Sequence, residues 1–198
     1  MAMEQAPAID KSATAVLLMD FQNGIVGFAP EKDRAQLMDN AAAVLAGARK
    51  AGLPVFFIVV RFKEGHPEIS ERNKSFSLLK KAGRLVEGTP AAEVDARVAP
   101  AAGELVVTKV RVGAFSTTPL ETLLRARGVN SLVLLGIATS GVVLSTVRWA
   151  ADMDYALTVI SDACADANPE VHRVLTENVF PMQANVVTTK AFLAAVAA

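Results

Sequence analysis

Short apolar runs alternate with longer amphipathic stretches along this chain, and this alternation restricts the fold more than any other feature. The runs are rich in Val, Ile and Leu and occupy residues 13–19, 55–60, 104–108, 131–136, 156–160 and 185–188. Between the first two, residues 31–51 carry apolar side chains at helical spacing, and Gly52 and Pro54 then end the helix. Strands separated by helices of this length form right-handed crossovers and a parallel sheet covered on both faces. The sequence therefore predicts a three-layer α/β/α fold.

Length and composition indicate a single domain over residues 1–198. A chain of 198 residues can bury one core, and no Pro, Gly or Ser-rich linker divides it. Hydrophobic residues make up 52% of the chain, and 20 acidic side chains balance 20 basic ones. This composition excludes a disordered chain and provides no basic surface for nucleic acid. We therefore expect a small-molecule substrate and no nucleic-acid partner.

The sequence contains no signal for a membrane or for a metal. Its apolar runs are far shorter than the roughly 20 residues of a membrane span, and the N-terminus lacks the charged-then-apolar order of a signal peptide. We expect no membrane partner and a cytoplasmic location. The single cysteine, Cys164, cannot form an internal disulfide, and the two histidines, His66 and His172, lack metal-ligand spacing. We therefore expect neither a metal nor another cofactor.

Two charged residues stand where apolar strands are predicted to end. Asp20 closes the run Ala-Val-Leu-Leu-Met at 15–19, and Lys109 closes Leu-Val-Val-Thr at 105–108. Runs of this kind are typical of strands buried on both faces, and ligands collect outside the carboxyl ends of such strands. We expect both side chains to face one pocket. The alternatives are that Asp20 only caps a turn and that Lys109 forms an ordinary structural ion pair.

A turn rich in small residues follows the fourth run. Gly136-Ile137-Ala138-Thr139-Ser140-Gly141-Val142 leads into a helical pattern, so backbone N–H groups can converge at the start of a helix. Such a place can bind an oxyanion. A strand-turn-helix of this type also occurs in many α/β proteins for packing alone.

The regular alternation stops between residues 61 and 103, where charged residues mix with Gly, Pro and scattered apolar side chains. A long segment after the carboxyl end of a strand is well placed to cover a pocket. A solvated loop with a short helix explains the same composition equally well.

Four motifs together resemble the isochorismatase-like hydrolase superfamily, which includes nicotinamidases, N-carbamoylsarcosine amidases and isochorismatases. The order and the spacing of the motifs match over nearly the whole chain: Leu-Leu-Met-Asp20-Phe-Gln-Asn, Val-Thr-Lys109 with Gly113-Ala114-Phe115-Ser116-Thr117, Leu-Gly-Ile-Ala-Thr139-Ser-Gly-Val142, and Asp162-Ala163-Cys164-Ala165. The resemblance implies a Rossmann-like, six-stranded parallel sheet and a homodimer or larger homo-oligomer. It also implies a cis peptide before Ala138 that turns the backbone amides of Ala138 and Val142 toward an oxyanion.

The resemblance assigns catalytic positions to Asp20, Lys109 and Val142. In the thiol members, a cysteine three residues after the threonine attacks an amide carbon, the aspartate acts as base, and the lysine steadies the ionised pair. Here that position is Val142, and a branched alkyl group cannot attack. We do not expect Cys164 to replace it, because Cys164 follows the fifth predicted strand, about one strand away.

The cysteine is also absent from isochorismatases, which carry glycine at this position and are thought to use the aspartate as an acid toward a vinyl ether. Valine is bulkier than glycine, so the fit of isochorismate itself is in question. Nicotinamidases bind a metal after the second strand, but this chain has Arg61-Phe62-Lys63 there, and a cation at Arg61 suggests an anionic substrate group. The residues that we predict to bind substrate are Phe21, Gln22, Phe28, Arg61, Phe115 and Ser140.

Two hypotheses follow. The first is a hydrolase that acts on a small polar or anionic metabolite through acid-base chemistry by Asp20 and Lys109, without a thiol nucleophile. The second is a non-catalytic protein of the same fold that binds a small molecule. A nucleotide-binding protein is a weaker third possibility, since no phosphate-binding glycine motif follows the first strand.

Overall fold

Six parallel strands form one sheet in the order β3-β2-β1-β4-β5-β6, in a computed structural model that describes residues 9–197. The ends of the predicted 1–198 domain lie outside the described residues. The strands are β1 (Thr14–Met19), β2 (Val55–Val60), β3 (Leu105–Lys109), β4 (Ser131–Ile137), β5 (Ala156–Ala165) and β6 (Asn185–Val187). The predicted α/β fold with a six-stranded parallel sheet is confirmed.

Helices flank the sheet as α1 (Asn23–Val26), α2 (Glu31–Lys50), α3 (Lys74–Lys81), α4 (Leu120–Arg125), α5 (Leu144–Asp152), α6 (Pro169–Val174) and α7 (Thr189–Ala197). The stripe predicted for residues 31–51 forms α2, which packs against α7 and β5. Among the described residues, no helix is long and apolar enough to cross a membrane.

The strand order reverses at β1. The chain passes from β1 to β2 on one side and returns through β4 on the other side. In open α/β sheets, ligands bind outside the carboxyl ends of the strands at such a reversal. Asp20 follows β1 and Ala138 follows β4, so both lie at this point.

Close approach of β1 and β4 depends on Gly136. A Cβ atom added at Gly136 would lie 2.6 Å from the carbonyl oxygen of Met19, its partner across the two strands. Any larger side chain would push the strands apart. The glycine therefore keeps Asp20, the next residue after Met19, beside the turn that follows β4.

Two details differ from the sequence-based expectations. β3 is an edge strand with an exposed Val106, so the strand before Lys109 is not buried on both faces. β5 continues to Ala165, which places Cys164 inside the strand, paired with Gly136, rather than after it. The pairing register between β4 and β5 shifts between Leu134 and Gly136. Because of this irregularity, β5 continues beyond the polar residues Ser161 and Asp162, where the apolar pattern ends.

Candidate active site

Asp20 and Lys109 form a buried ion pair at the carboxyl ends of the strands. Lys109 Nζ lies 2.9 Å from Asp20 Oδ2, and the side chains are only 2% (Lys109) and 8% (Asp20) exposed. β2 separates β1 from β3, and alternate strands of a sheet lie about 10 Å apart. A long side chain is therefore needed to reach Asp20 from β3. Asp20 itself leaves β1 with φ of 62°, while its N–H still donates to the Ile58 carbonyl at 2.8 Å.

The surroundings of the Asp20 carboxyl group shift its pKa. Burial raises its pKa above the ordinary value of 3.8, and the nearby Lys109 charge opposes this increase only in part. Its Oδ1 atom is buried and has no hydrogen-bond partner among the described residues. Lys109 is held from the other side, since Nζ also donates to the Arg111 carbonyl at 3.2 Å. One carboxyl oxygen is thus paired with Lys109, and the other has no described hydrogen-bond partner.

The turn after β4 has the expected cis peptide between Ile137 and Ala138, which confirms that implication of the motif. One π-helical turn, Thr139–Val143, then leads into α5. Asp166, the residue after β5, and His172 of α6 hold this turn in place. Thr139 Oγ1 lies 2.8 Å from His172 Nδ1, and the Ser140 N–H donates to Asp166 Oδ2 at 2.8 Å.

These elements surround one cavity of about 510 Å³, which we call the Asp20 cavity. Its lining includes Asp20, Lys109, Ala138 and Val142, so the three predicted catalytic positions and both predicted backbone positions, Ala138 and Val142, share one space. Most of the wall is apolar and comes from Ile25, Phe28, Val60, Phe76, Leu79 and Val112, among others. The volume lies within the roughly 300–1,000 Å³ that is usual for small-molecule sites.

Phe28 is the only one of the six predicted substrate-binding residues, all of which the structure describes, that lines the Asp20 cavity. Phe21 is 2% exposed and packs in the core. Gln22 is fully buried: its Nε2 donates to the carbonyls of Val60 and Ala92, and its Oε1 accepts from the Val60 N–H. The Gln22 amide thus binds backbone groups of two other segments, and the sequence motif does not reveal these partners.

The other three predicted binding residues also lie outside the cavity. Arg61 pairs with Glu93 at 2.9 Å and donates to the Ala92 carbonyl, so its charge is already matched. Phe115 is buried, stacks on Trp149 with ring centroids 6.4 Å apart, and lines a separate cavity. The Ser140 side chain is exposed and does not line the Asp20 cavity.

Residues 75–85 contribute to the cavity in a way that the sequence did not reveal. They line it through Ser75, Phe76, Leu78, Leu79, Ala82, Arg84 and Leu85. The interpretation of the 61–103 segment as a pocket cover identified the region but not the side chains. Arg84 is one of several cations in that segment, and no local pattern distinguishes it from the others.

Cys164 lines a different cavity of about 280 Å³, together with His172 and Asp166. Burial raises the pKa of the Cys164 thiol to about 12, so the thiol stays protonated at neutral pH. Within residues 9–197, no group of three or more His, Cys, Asp or Glu side chains is arranged to hold a metal ion.

Known proteins of one family resemble this chain in sequence and in fold. Residues 14–191 match the isochorismatase domain family. The chain is 33% identical over 195 residues to a ureidoacrylate amidohydrolase, RutB, of Methylobacterium radiotolerans, and the alignment covers 87% of this chain and 75% of that protein. It is 32% identical over 176 residues to a probable inactive nicotinamidase of Arabidopsis thaliana, covering 86% of this chain and 88% of the relative.

A solved structure of similar fold is an isochorismatase family protein from Burkholderia thailandensis. Its TM-score is 0.84 at 25% identity, and the alignment covers 98% of this chain and 100% of that one. The matched domain, the curated relatives and the shared fold lead to one conclusion: the chain belongs to the isochorismatase family of hydrolases.

Proposed function

We propose that this protein is a cofactor-independent hydrolase that acts on a small polar or anionic metabolite through acid-base chemistry at Asp20, without a thiol nucleophile. The observation that carries the proposal is the buried Asp20–Lys109 pair, whose two residues line a mostly apolar cavity and in which Oδ1 of Asp20 has no described hydrogen-bond partner. A carboxyl group in such a place exchanges protons near neutral pH more readily than an exposed one.

In the proposed reaction, protonated Asp20 donates its proton to the leaving atom of the substrate. The oxygen of a water molecule forms a bond to the electrophilic carbon as the bond to the leaving atom breaks. The Asp20 carboxylate then accepts the proton that this water releases, and the acid form is restored. Lys109 stabilises the carboxylate between the two proton transfers, at the observed distance of 2.9 Å.

Val142 supports the thiol-free form of this mechanism. Its side chain lines the cavity where the family resemblance expects the nucleophilic cysteine, and an alkyl group offers no lone pair. Cys164 is a poor substitute, because its pKa of about 12 leaves it as a neutral thiol and it faces another cavity.

The test is a screen of small esters, amides and vinyl ethers, followed by Asp20→Asn on any substrate found. Loss of the acid-base group predicts a fall in kcat of about 10²–10⁴-fold. Asp152→Asn, an exposed change at the end of α5, is the matched control and should leave kcat unchanged. Unchanged turnover in Asp20→Asn would contradict the proposal.

A second candidate function is non-catalytic binding of a small molecule. Val142 motivates it, and so does the similarity to a relative that is named a probable inactive nicotinamidase. Crystals soaked with pooled metabolites separate the two functions. An intact molecule in the Asp20 cavity, with no turnover in solution, favours binding, whereas a cleavage product favours hydrolysis.

A further inference from the structure

The charges that line the Asp20 cavity do not balance. Among the described residues, the charged side chains of the lining are Asp20, Lys109 and Arg84. Asp20 and Lys109 contact each other at the buried end. Within residues 9–197, no carboxylate forms an ion pair with Arg84. Whether Asp20 is ionised or protonated, the lining therefore carries a net positive charge, and Arg84 has no carboxylate partner among the described residues.

Arg84 lies at the open end of the cavity. Its side chain is exposed, as is that of Phe28 at 45%, whereas Asp20, Lys109 and Val142 are buried. One guanidinium nitrogen donates to the Gly24 carbonyl, and the Cζ atom lies 5.3 Å from the centroid of the Phe28 ring. These two contacts hold the guanidinium in place without neutralising it. The planar fork that remains suits a carboxylate.

Apolar side chains form most of the remaining lining of the cavity. Val60, Phe76, Leu79, Leu85, Val112 and Ile137 contribute to the wall. A strongly hydrated ligand would lose its water there without gaining hydrogen bonds, and an aryl or branched alkyl group would gain from burial. The cavity thus offers an anion contact at the exposed Arg84, an apolar wall, and the proposed acid-base group at the buried Asp20.

We infer that the ligand of this cavity is a small amphipathic carboxylate, with an apolar body along the wall and its carboxylate on Arg84, which is the specificity-determining residue. Cleavage of the buried end of such a molecule rests on the proposed function of Asp20. The sequence suggested Arg61 as the anion contact, but Arg61 forms an ion pair with Glu93. Arg84 forms no ion pair with any described carboxylate and is therefore the better contact.

The experiment compares two probes of nearly equal shape, 3-phenylpropionate and 4-phenyl-2-butanone. In the ketone, a methyl group replaces one oxygen of the carboxylate. Binding to the full chain is measured by calorimetry or by NMR titration. We expect the wild-type protein to bind the anion about fivefold or more tightly than the ketone, as one partly exposed ion pair allows. Raising the salt concentration to about 1 M should reduce this preference.

Variants assign the preference to one side chain. Arg84→Gln should abolish it, Arg84→Lys should keep part of it, and the matched control Arg61→Gln should leave it intact. The inference is overturned if neither probe binds, if the wild type has no preference for the anion, if Arg84→Gln retains that preference, or if Arg61→Gln loses it equally.

Neither probe contains a hydrolysable bond, so the result does not depend on turnover. An anion preference that requires Arg84, found together with an Asp20→Asn variant of unchanged activity, would reject the hydrolytic mechanism and keep this inference. Turnover that requires Asp20, found without any preference for the anion, would reject this inference and keep the hydrolytic mechanism.

Discussion

Gly136 and Met19 approach so closely that a Cβ atom at position 136 would lie 2.6 Å from the Met19 carbonyl oxygen. The contact joins β4 to β1 one residue before Asp20. We predict that Gly136→Ala lowers the free energy of unfolding by about 1–3 kcal/mol, because the strands must separate to admit the methyl group. Urea denaturation measures this change in the free energy of unfolding. Gly27→Ala is the control, since nothing lies within 4 Å of that added atom, and equal effects of both changes would contradict the prediction.

Lys109→Met should make stability strongly dependent on pH. A carboxyl group whose pKa is raised in the folded state binds its proton more tightly there, so the unfolding free energy falls as pH rises above 3.8. Without Lys109 the Asp20 pKa rises further, and at neutral pH we expect a loss of about 3–5 kcal/mol. The loss should shrink as the pH is lowered toward the ordinary pKa of an aspartate.

The double variant Lys109→Met with Asp20→Asn provides the control for this prediction. It removes the buried charge as well as its partner, so most of the stability at neutral pH should return. A Lys109→Met variant whose loss of unfolding free energy is the same in acid and at neutral pH would mean that Asp20 is not the titrating group.

The pKa values of two aspartates of this chain should be shifted in opposite directions from the ordinary value. Burial raises the pKa of Asp20, whereas hydrogen bonds from the Ser12 side chain and backbone lower the pKa of the exposed Asp10. Carboxyl ¹³C NMR of the wild-type protein, assigned with Asp20→Asn and Asp10→Asn, should show one midpoint above 3.8 and the other below it. If Asp20 acts as the acid, turnover should decline as pH rises through the Asp20 midpoint. An Asp20 midpoint at or below that of Asp10 would remove the basis for an acid role.

Gln22 should prove structural. Gln22→Met keeps the size of the side chain but removes the acceptor of the Val60 N–H and one donor each from the carbonyls of Val60 and Ala92, of which only Ala92 keeps a hydrogen bond from Arg61 among those described. We expect a loss of about 2–4 kcal/mol in unfolding free energy, measured by denaturation, with unchanged affinity for 3-phenylpropionate in the folded protein. Full stability with lost affinity would instead support the substrate-binding role suggested by sequence.

A thiol at position 142 should be far more reactive than the natural one. Val142→Cys places sulfur in the cavity that contains Asp20 and Lys109, whereas Cys164 is buried with a pKa of about 12. We expect alkylation by iodoacetamide at position 142 to be at least about tenfold faster, followed by mass spectrometry of the two peptides. Val142→Cys combined with Cys164→Ala controls for cross-reaction. An inert Cys at 142 would show that this position does not face the reactive space.

Local sequence is enough to predict the elements that build the site. Strand ends are set by where an apolar run stops, so the two runs that end at Asp20 and Lys109 place both residues at the carboxyl edge of the sheet. The turn at Ala138 and the position of Val142 follow from motif spacing. β5 was predicted too short because its apolar pattern stops at Ser161, while pairing with β4 continues to Ala165.

The sequence by itself determined the α/β fold, the family and the Asp20–Lys109 pair, because each depends on patterns within a few residues of a strand. Only the tertiary structure decided which polar side chains reach the cavity. Arg61 is matched by Glu93, 32 residues away, and Gln22 by Ala92, 70 residues away. Arg84 has no charge partner among the described residues and lies at the cavity mouth. Partners this distant are chosen by how the chain packs, so residue type alone does not separate a binding side chain from one that holds the fold.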